Sequence, residues 1–107
     1  MIAFINLWET LLAAVTNFAV SELKNFPDQT ITDIVKFLEN AKGDIERWVI
    51  QYAEGKLTAD ELKWLIKGSK DLAELLFLKE KEFTKEQLNH ILNNLVEVIV
   101  SAVLKAI

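Results

Sequence analysis

His90 is the only histidine in this 107-residue chain, so it is the only imidazole that could serve as a base or metal ligand near neutral pH. Glu86 precedes it by four residues, which would place both side chains on one face of a helix. Metal-binding helical bundles instead use a Glu-x-x-His spacing in two copies, with further glutamates facing inward. The other residues near His90 are polar: Asn93, Asn94 and Glu97. We therefore expect a solvated polar face and no metal site.

The chain also lacks the groups that nucleophilic catalysis requires, which are a hydroxyl or thiol, a base and an orienting group. There is no cysteine, and a serine could draw only on His90 as its base. No glycine-rich phosphate loop or dinucleotide pattern is present, and the adjacent acids Asp60 and Glu61 suit the start of a helix. We predict that the protein is not an enzyme and uses no cofactor.

One face of the predicted third helix carries residue types that could bind a nucleic acid, through lysine charges and an aromatic ring. It carries three lysines, Lys63, Lys67 and Lys70. Trp64 lies beside them and could stack on a base. However, the net charge is −4 with a single arginine, and Asp71 and Glu74 are spaced to form helical ion pairs with Lys67 and Lys70. We expect no nucleic-acid binding.

The elements that position these residues begin with the most apolar stretch of the chain, which predicts a helix over residues 2–25. Pro27 disfavours helical angles in the residue before it and so ends this helix. Its apolar face is wider than one neighbouring helix can cover. Asn6 and Glu9 interrupt the stretch, and no lysine or arginine precedes it, so we expect neither a membrane span nor a secretory signal. We accordingly expect a cytoplasmic protein.

The second helix, over residues 31–54, has the clearest helical periodicity. Its apolar residues step by three and four: Ile31, Ile34, Leu38, Ala41, Ile45, Trp48 and Tyr52. Thr30 and Asp33 have the spacing of a capping box at its start. Gly43 interrupts the segment, but the apolar register continues across it. The pattern favours one helix, with a bend allowed at Gly43.

Two further helices, over residues 59–79 and 85–106, begin with the same start signal. Thr58 with Glu61, and Thr84 with Gln87, have capping-box spacing. Gly68 with Ser69 is the weak point of the third helix, and the charged residues 79–82 after it are expected to be solvated. Valine and isoleucine are frequent in the fourth helix, but no alternation with a period of two indicates a strand.

These elements predict a single all-α domain over residues 1–107, an antiparallel four-helix bundle with up-down-up-down topology. In that topology the first and last helices lie side by side, so the apolar ends near Phe4 and near Val103 meet. Either they close the core of a monomer, or they leave a dry patch that pairs two copies. Because symmetric dimers are the commonest oligomers, we favour the homodimer.

Two groups of residues are the candidates for an interface. The first comes from the terminal helices: Phe4, Trp8, Ile99 and Val103. The second contains aromatic residues that fall off the main apolar stripes: Phe37, Trp64 and Phe77. Exposed aromatic residues are enriched at contact surfaces. A helical register different by one residue would bury this second group.

The sequence therefore favours a non-catalytic helical interaction module that self-associates or binds a protein partner. An alternative is a carrier that holds an apolar small ligand between the first and fourth helices. A weaker alternative is an amphipathic protein that lies on a membrane surface. The first two hypotheses are motivated by apolar helix faces that are wider than the neighbouring helices of the chain can cover.

Overall fold

The computed structural model describes residues 4–24 and 28–106, and this part of the chain is all-helical with no strand. It contains six helices: α1 (Phe4–Glu22), α2 (Asp28–Asn40), α3 (Lys42–Ala53), α4 (Ala59–Lys67), α5 (Lys70–Lys79) and α6 (Lys85–Ala106). The predicted all-α class is therefore confirmed. The predicted ends of the first helix, at residues 2 and 25, lie outside the described residues.

The prediction of four long helices is wrong at two places, because the predicted helices 31–54 and 59–79 are each divided in two. The second division lies at Gly68 and Ser69. Ser69 adopts extended backbone angles (φ −67°, ψ 146°), and its Oγ accepts a hydrogen bond from the Leu72 amide at 3.3 Å. Serine side chains compete with the helical ladder in this way, so Ser69 starts a new helix instead of continuing the old one.

The first division lies at Ala41 and is a bend more than a loop. The Ala41 amide donates to the Phe37 carbonyl at 3.0 Å, and the Ile45 amide donates to the Ala41 carbonyl at 2.9 Å. Helical hydrogen bonds therefore surround the bend, and the apolar stripe passes through it because Ala41 is itself buried. Gly43 does not make the break, since it lies inside the first turn of α3.

The predicted cap at Thr30 is also wrong, because α2 begins at Asp28. Thr30 lies within the helix with its side chain buried, and Asp33 bonds to Gln29 and Lys79 instead of closing a capping box. The two later caps are confirmed. Thr58 and Glu61 form both bonds of a capping box, and the side chains of Thr84 and Gln87 each bond to the other residue's amide.

The helices pack as neighbouring pairs around one core. Helix α1 contacts α2 and α6, helix α6 also contacts α4, and the divided segments pair as α2 with α5 and α3 with α4. Leu23 and Gln87 line the same small cavity, whereas Thr10 lies across a groove from Lys105, so α1 and α6 run antiparallel. The predicted adjacency of the first and last helices is therefore present.

The core is densest between α1 and α6. Seven leucine, isoleucine and valine side chains of these two helices are at most 1% exposed: Leu7, Leu11, Val15, Leu95, Val96, Ile99 and Val103. Burial of each such side chain contributes roughly 1.5–3 kcal/mol relative to exposure. The apolar ends of the chain therefore close a core within a single copy.

Candidate interaction surface

Trp64 and Phe77 have the most exposed aromatic side chains of the described residues. Trp64 on α4 is 74% exposed, Phe77 on α5 is 72% exposed, and Leu78 beside it is 64% exposed. We call these three residues the α4–α5 surface. Helix α4 buries Leu62 and Ile66, and each step of two residues turns a helix by about 200°, so Trp64 must point away from the core.

A shallow depression of about 640 Å³ lies on α5 at Phe77 and Leu78, and Trp64 does not line it. It is lined by Lys70, Ala73, Glu74, Phe77 and Leu78. Its apolar floor combines one small and two large side chains, with one charge of each sign at its edge. A rigid helix therefore presents an aromatic side chain next to a space that a side chain of another molecule can fill.

The lysines near this surface are not neutralised as the sequence predicted. In the part of the chain that the structure describes, neither Lys67 with Asp71 nor Lys70 with Glu74 forms an ion pair within 4.0 Å. Lys63 instead pairs across to Glu97 on α6. The charges of Lys67 and Lys70 thus remain available to a partner.

Phe37 was predicted to lie on the surface, and this prediction is wrong. Its side chain is 3% exposed, and it belongs to the main core together with Ile34 and Leu38. Helix α2 contacts both α1 and α5, so it buries a wider arc than a helix with one neighbour. Of the three off-stripe aromatic residues, the structure exposes Trp64 and Phe77.

The terminal-helix candidates lie at the α1–α6 seam inside the chain. Ile99 and Val103 are fully buried, and Trp8 is 8% exposed. The Trp8 ring stacks with Phe4 at a centroid distance of 6.2 Å, and the Lys42 Nζ lies 5.0 Å from its centroid. These residues are covered by the chain itself, so they offer little surface to a second molecule.

A second concave region lies between α1 and α6 and has a volume of about 800 Å³. Apolar side chains, including Ala14, Phe18, Val98 and Ala102, line it together with the polar side chains of Thr10, Asn94, Glu97 and Ser101. Glu22 and Lys105 also line it. This groove lies where the ligand-carrier alternative requires space.

His90 has the solvated position that the sequence predicts. It is exposed, and its Nε2 lies 3.0 Å from Nδ2 of Asn94. Within residues 4–24 and 28–106, no three histidine, cysteine or acidic side chains come together as a possible metal site.

A charged cluster around the buried Lys79 joins α2 to the end of α5, and the sequence did not reveal it. Lys79 was expected in a solvated exit, but it is 5% exposed. Its Nζ lies 2.6 Å from Oδ2 of Asp33 and 3.3 Å from Oε2 of Glu82, and Gln29 donates to Oδ1 of Asp33 at 2.8 Å. The only sequence signal is that Lys79 follows Leu72 and Leu75 at the spacing of the buried stripe.

Both charges of this cluster have shifted pKa values. Burial on its own would raise the pKa of Asp33, but hydrogen bonds from Lys79 and Gln29 and the lysine charge outweigh it and hold that pKa below its usual value. Burial would likewise lower the pKa of Lys79, but its bonds and attraction to Asp33 and Glu82 raise it above its usual value. Asp33 and Lys79 are therefore both ionised at neutral pH, and their ion pair links α2 to α5.

Helix α1 over Phe4–Glu22 is long and apolar enough to cross a membrane by length and composition alone. The core helix of a soluble protein passes the same criterion, and about a third of this segment is buried in the fold. The described residues contain one such helix. The buried positions of α1 are explained by its packing on α2 and α6.

No protein-family model, curated protein or solved structure matches this chain. The fold and the site define a small all-helical protein with an exposed aromatic surface on α4 and α5. Conclusions about its function depend on that geometry.

Proposed function

We propose that this protein is a non-catalytic helical interaction module that self-associates or binds a protein partner through the α4–α5 surface. The observation that carries the proposal is that Trp64 and Phe77 are each about three-quarters exposed on rigid helices. Tryptophan is among the residues that most often dominate binding energy, and aromatic residues in general are enriched at interfaces. Both positions belong to the interface candidates that the sequence indicates.

The cost of leaving these side chains in water supports the proposal. Removing apolar surface from water contributes roughly 25 cal/mol per Å², and a large aromatic side chain buries about 150–250 Å². Covering Trp64 and Phe77 would thus contribute several kcal/mol to association. Because both side chains lie on formed helices, binding need not order the backbone first.

We also propose that the six helices act as four arms of an antiparallel bundle, with α2–α3 as one arm and α4–α5 as another. The neighbours of each helix support this arrangement, since α1 lies between α2 and α6, and α4 lies between α3 and α6. In such a bundle the α4–α5 arm packs inward on its neighbours and keeps its outer side free for binding.

The experiment that tests this function compares the full chain with Phe77→Glu and Val20→Glu variants. Val20 is 54% exposed on α1 and serves as the matched control. Self-association and capture of proteins from the native cell lysate are measured for all three. We expect Phe77→Glu to weaken whichever association occurs and Val20→Glu to leave it unchanged. An association that survives in both variants, or is absent in all three, rules out this surface.

The groove between α1 and α6 favours a second candidate function, the carriage of an apolar small ligand. Its volume of about 800 Å³ lies within the range of roughly 300–1,000 Å³ that is usual for ligand sites. A ligand that binds the folded state raises the melting temperature. A fatty acid should therefore stabilise the natural chain but not an Ala14→Phe variant, in which the ring fills the groove. If the fatty acid raises the melting temperature of both proteins equally, or of neither, the ligand-carrier function is contradicted.

A membrane-surface role is a third and weaker proposal, for which the apolar character of α1 is the support. Amphipathic helices that bind anionic lipid surfaces are usually basic, whereas this chain carries 16 acidic against 12 basic residues. Flotation with anionic liposomes tests it, and recovery of the protein with the lipid would favour it over the interaction module.

A further inference from the structure

We infer that the partner of the α4–α5 surface is a second copy of this chain, docked antiparallel through α5. The inference rests on the proposed function and deepens it, because it names the occupant and the register. Its basis is that both the shape and the charge of α5 complement themselves about a twofold axis.

The shape complementarity comes from residues that line the same depression. In an antiparallel pair of α5 helices with a twofold axis level with Leu75, Ala73 of one copy lies opposite Phe77 of the other. Because the contact is symmetric, this pairing of a small side chain with a large one occurs twice. Each Phe77 ring can enter the depression of about 640 Å³ on the opposite helix. This alternation of large and small side chains is how helices interdigitate.

The same register also matches the charges. Lys70 at the start of α5 lies opposite Glu80 just beyond the end of the other α5, and the pair occurs twice because the contact is symmetric. Both side chains are exposed, and neither forms an ion pair within the part of the chain that the structure describes. In this register the two Lys70–Glu80 pairs favour the antiparallel orientation.

The apolar area available for burial determines how stable the dimer is expected to be. Phe77 alone exposes on the order of 110–180 Å² of apolar surface, if an aromatic side chain has roughly 150–250 Å². Ala73, Leu78 and the stems of Lys70 and Glu74 add to it, but the contact stays well below the roughly 800 Å² that each partner buries in a standard stable interface. We therefore expect a weak dimer whose population depends on protein concentration.

The test is the mass of the full chain by size-exclusion chromatography with light scattering, from low-micromolar to near-millimolar concentration. The expected mass rises from 12.2 kDa towards twice that value as concentration increases. Phe77→Glu should remain a monomer throughout, while the control Val20→Glu should follow the natural chain. A natural chain that stays monomeric at every concentration overturns the inference.

Charge reversal tests the register. Lys70→Glu and Glu80→Lys should each be monomeric on their own, because like charges then meet twice. An equimolar mixture of the two should dimerise again, since every contact regains opposite charges. Both substitutions suit the helix dipole, with acid at the start and base at the end of α5, so loss of folding is not expected. A dimer that ignores both reversals, or a mixture that fails to recover, contradicts the antiparallel α5 contact.

These outcomes separate the inference from the proposed function. If the natural chain is monomeric but captures another protein in a manner that depends on Phe77, the dimer is wrong and the interaction module stands. If neither association depends on Phe77, both are wrong.

Discussion

The seam between α1 and α6 and the outer surface of α4 and α5 contain the same kinds of apolar side chain in opposite environments. At the seam, Leu11 and Ile99 have no exposed surface, and the two helices pack against each other. On α4 and α5, Trp64 and Phe77 remain largely in water. The difference shows that apolar content alone does not identify an interface, because the seam is covered by the chain itself.

What decides between the two environments is the position of each residue relative to its neighbours. The arms α1 and α6 each have two neighbouring helices, and their apolar arcs fit between them. Trp64 and Phe77 lie outside the arcs that Leu62, Ile66 and Leu72 turn towards the core. The seam should therefore control folding, and the α4–α5 surface should control association.

The largest effect should come from truncating the seam. Ile99→Ala removes a fully buried side chain, and we expect a loss of about 2–5 kcal/mol in the free energy of unfolding because a cavity remains. Ile5→Ala makes the same chemical change on α1 at a residue that is 66% exposed, and it should cost less than about 0.5 kcal/mol. Urea denaturation followed by circular dichroism measures both. Similar losses would show that the seam is not the centre of the fold.

The next effect should come from the buried cluster that ties α5 to α2. Asp33→Asn leaves the buried Lys79 ammonium with Glu82 as its remaining carboxylate, and we expect a loss of about 3 kcal/mol at neutral pH. Asp44→Asn is the matched control, because Asp44 pairs with Arg47 in an exposed position and should contribute at most about 1 kcal/mol. The denaturation midpoints of the two variants measure this difference. Equal shifts of the two midpoints would show that burial does not strengthen the ion pair between Asp33 and Lys79.

The same cluster predicts a dependence of stability on pH. The pKa of Asp33 is lower in the folded state, so its contribution is complete above the unfolded value near 3.8 and is lost as pH falls through the folded value. The pKa of Lys79 is raised, so its contribution is complete below about 10.5 and is lost as pH rises through the folded value. Asp33→Asn should therefore lose stability less steeply in acid than the natural chain. Parallel acid curves would contradict the role of Asp33.

The sequence predicts those features that depend on neighbouring residues. The capping boxes at Thr58 and Thr84 form as expected, and the left-handed backbone at Gly55 (φ +79°) suits its place after α3. The exposure of Trp64 and Phe77 also follows from helical spacing. Each of these features depends on a few residues that are close together in the sequence. Helical periodicity and capping patterns are therefore sufficient to predict them.

The features that the sequence does not reveal depend on contacts between distant segments. Lys79 looks like part of a charged turn until Asp33 of α2 is placed beside it. Phe37 looks exposed until α1 and α5 enclose α2 on two sides. The bend lies at Ala41, where an alanine within an apolar stripe predicts a continuous helix, and not at Gly43 two residues later, where the sequence allows a bend.

Ser69 offers a smaller and more local test. Ser69→Ala removes the hydrogen bond to the Leu72 amide, and we expect a loss of about 1 kcal/mol, which is usual for an N-cap. Ser101→Ala changes the same residue type at an exposed position within α6 and should be neutral or slightly stabilising. Denaturation curves compare the two. A gain in stability with higher helicity for Ser69→Ala would mean that α4 and α5 fuse into the single helix that periodicity predicts.

The smallest effect on folding should come from the surface that we assign to binding. Trp64→Ser removes the largest exposed aromatic side chain of the described residues, yet it should change the free energy of unfolding by less than about 0.5 kcal/mol in dilute solution. At high concentration the same variant should lose the extra stability that association gives to the folded state of the natural chain, because a partner that binds only the folded state raises the melting temperature. Melting curves at low and high protein concentration measure this difference. If the natural chain melts at the same temperature at both concentrations, self-association does not stabilise it. If Trp64→Ser is destabilised equally at both concentrations, Trp64 belongs to the core and the contrast with the seam no longer holds.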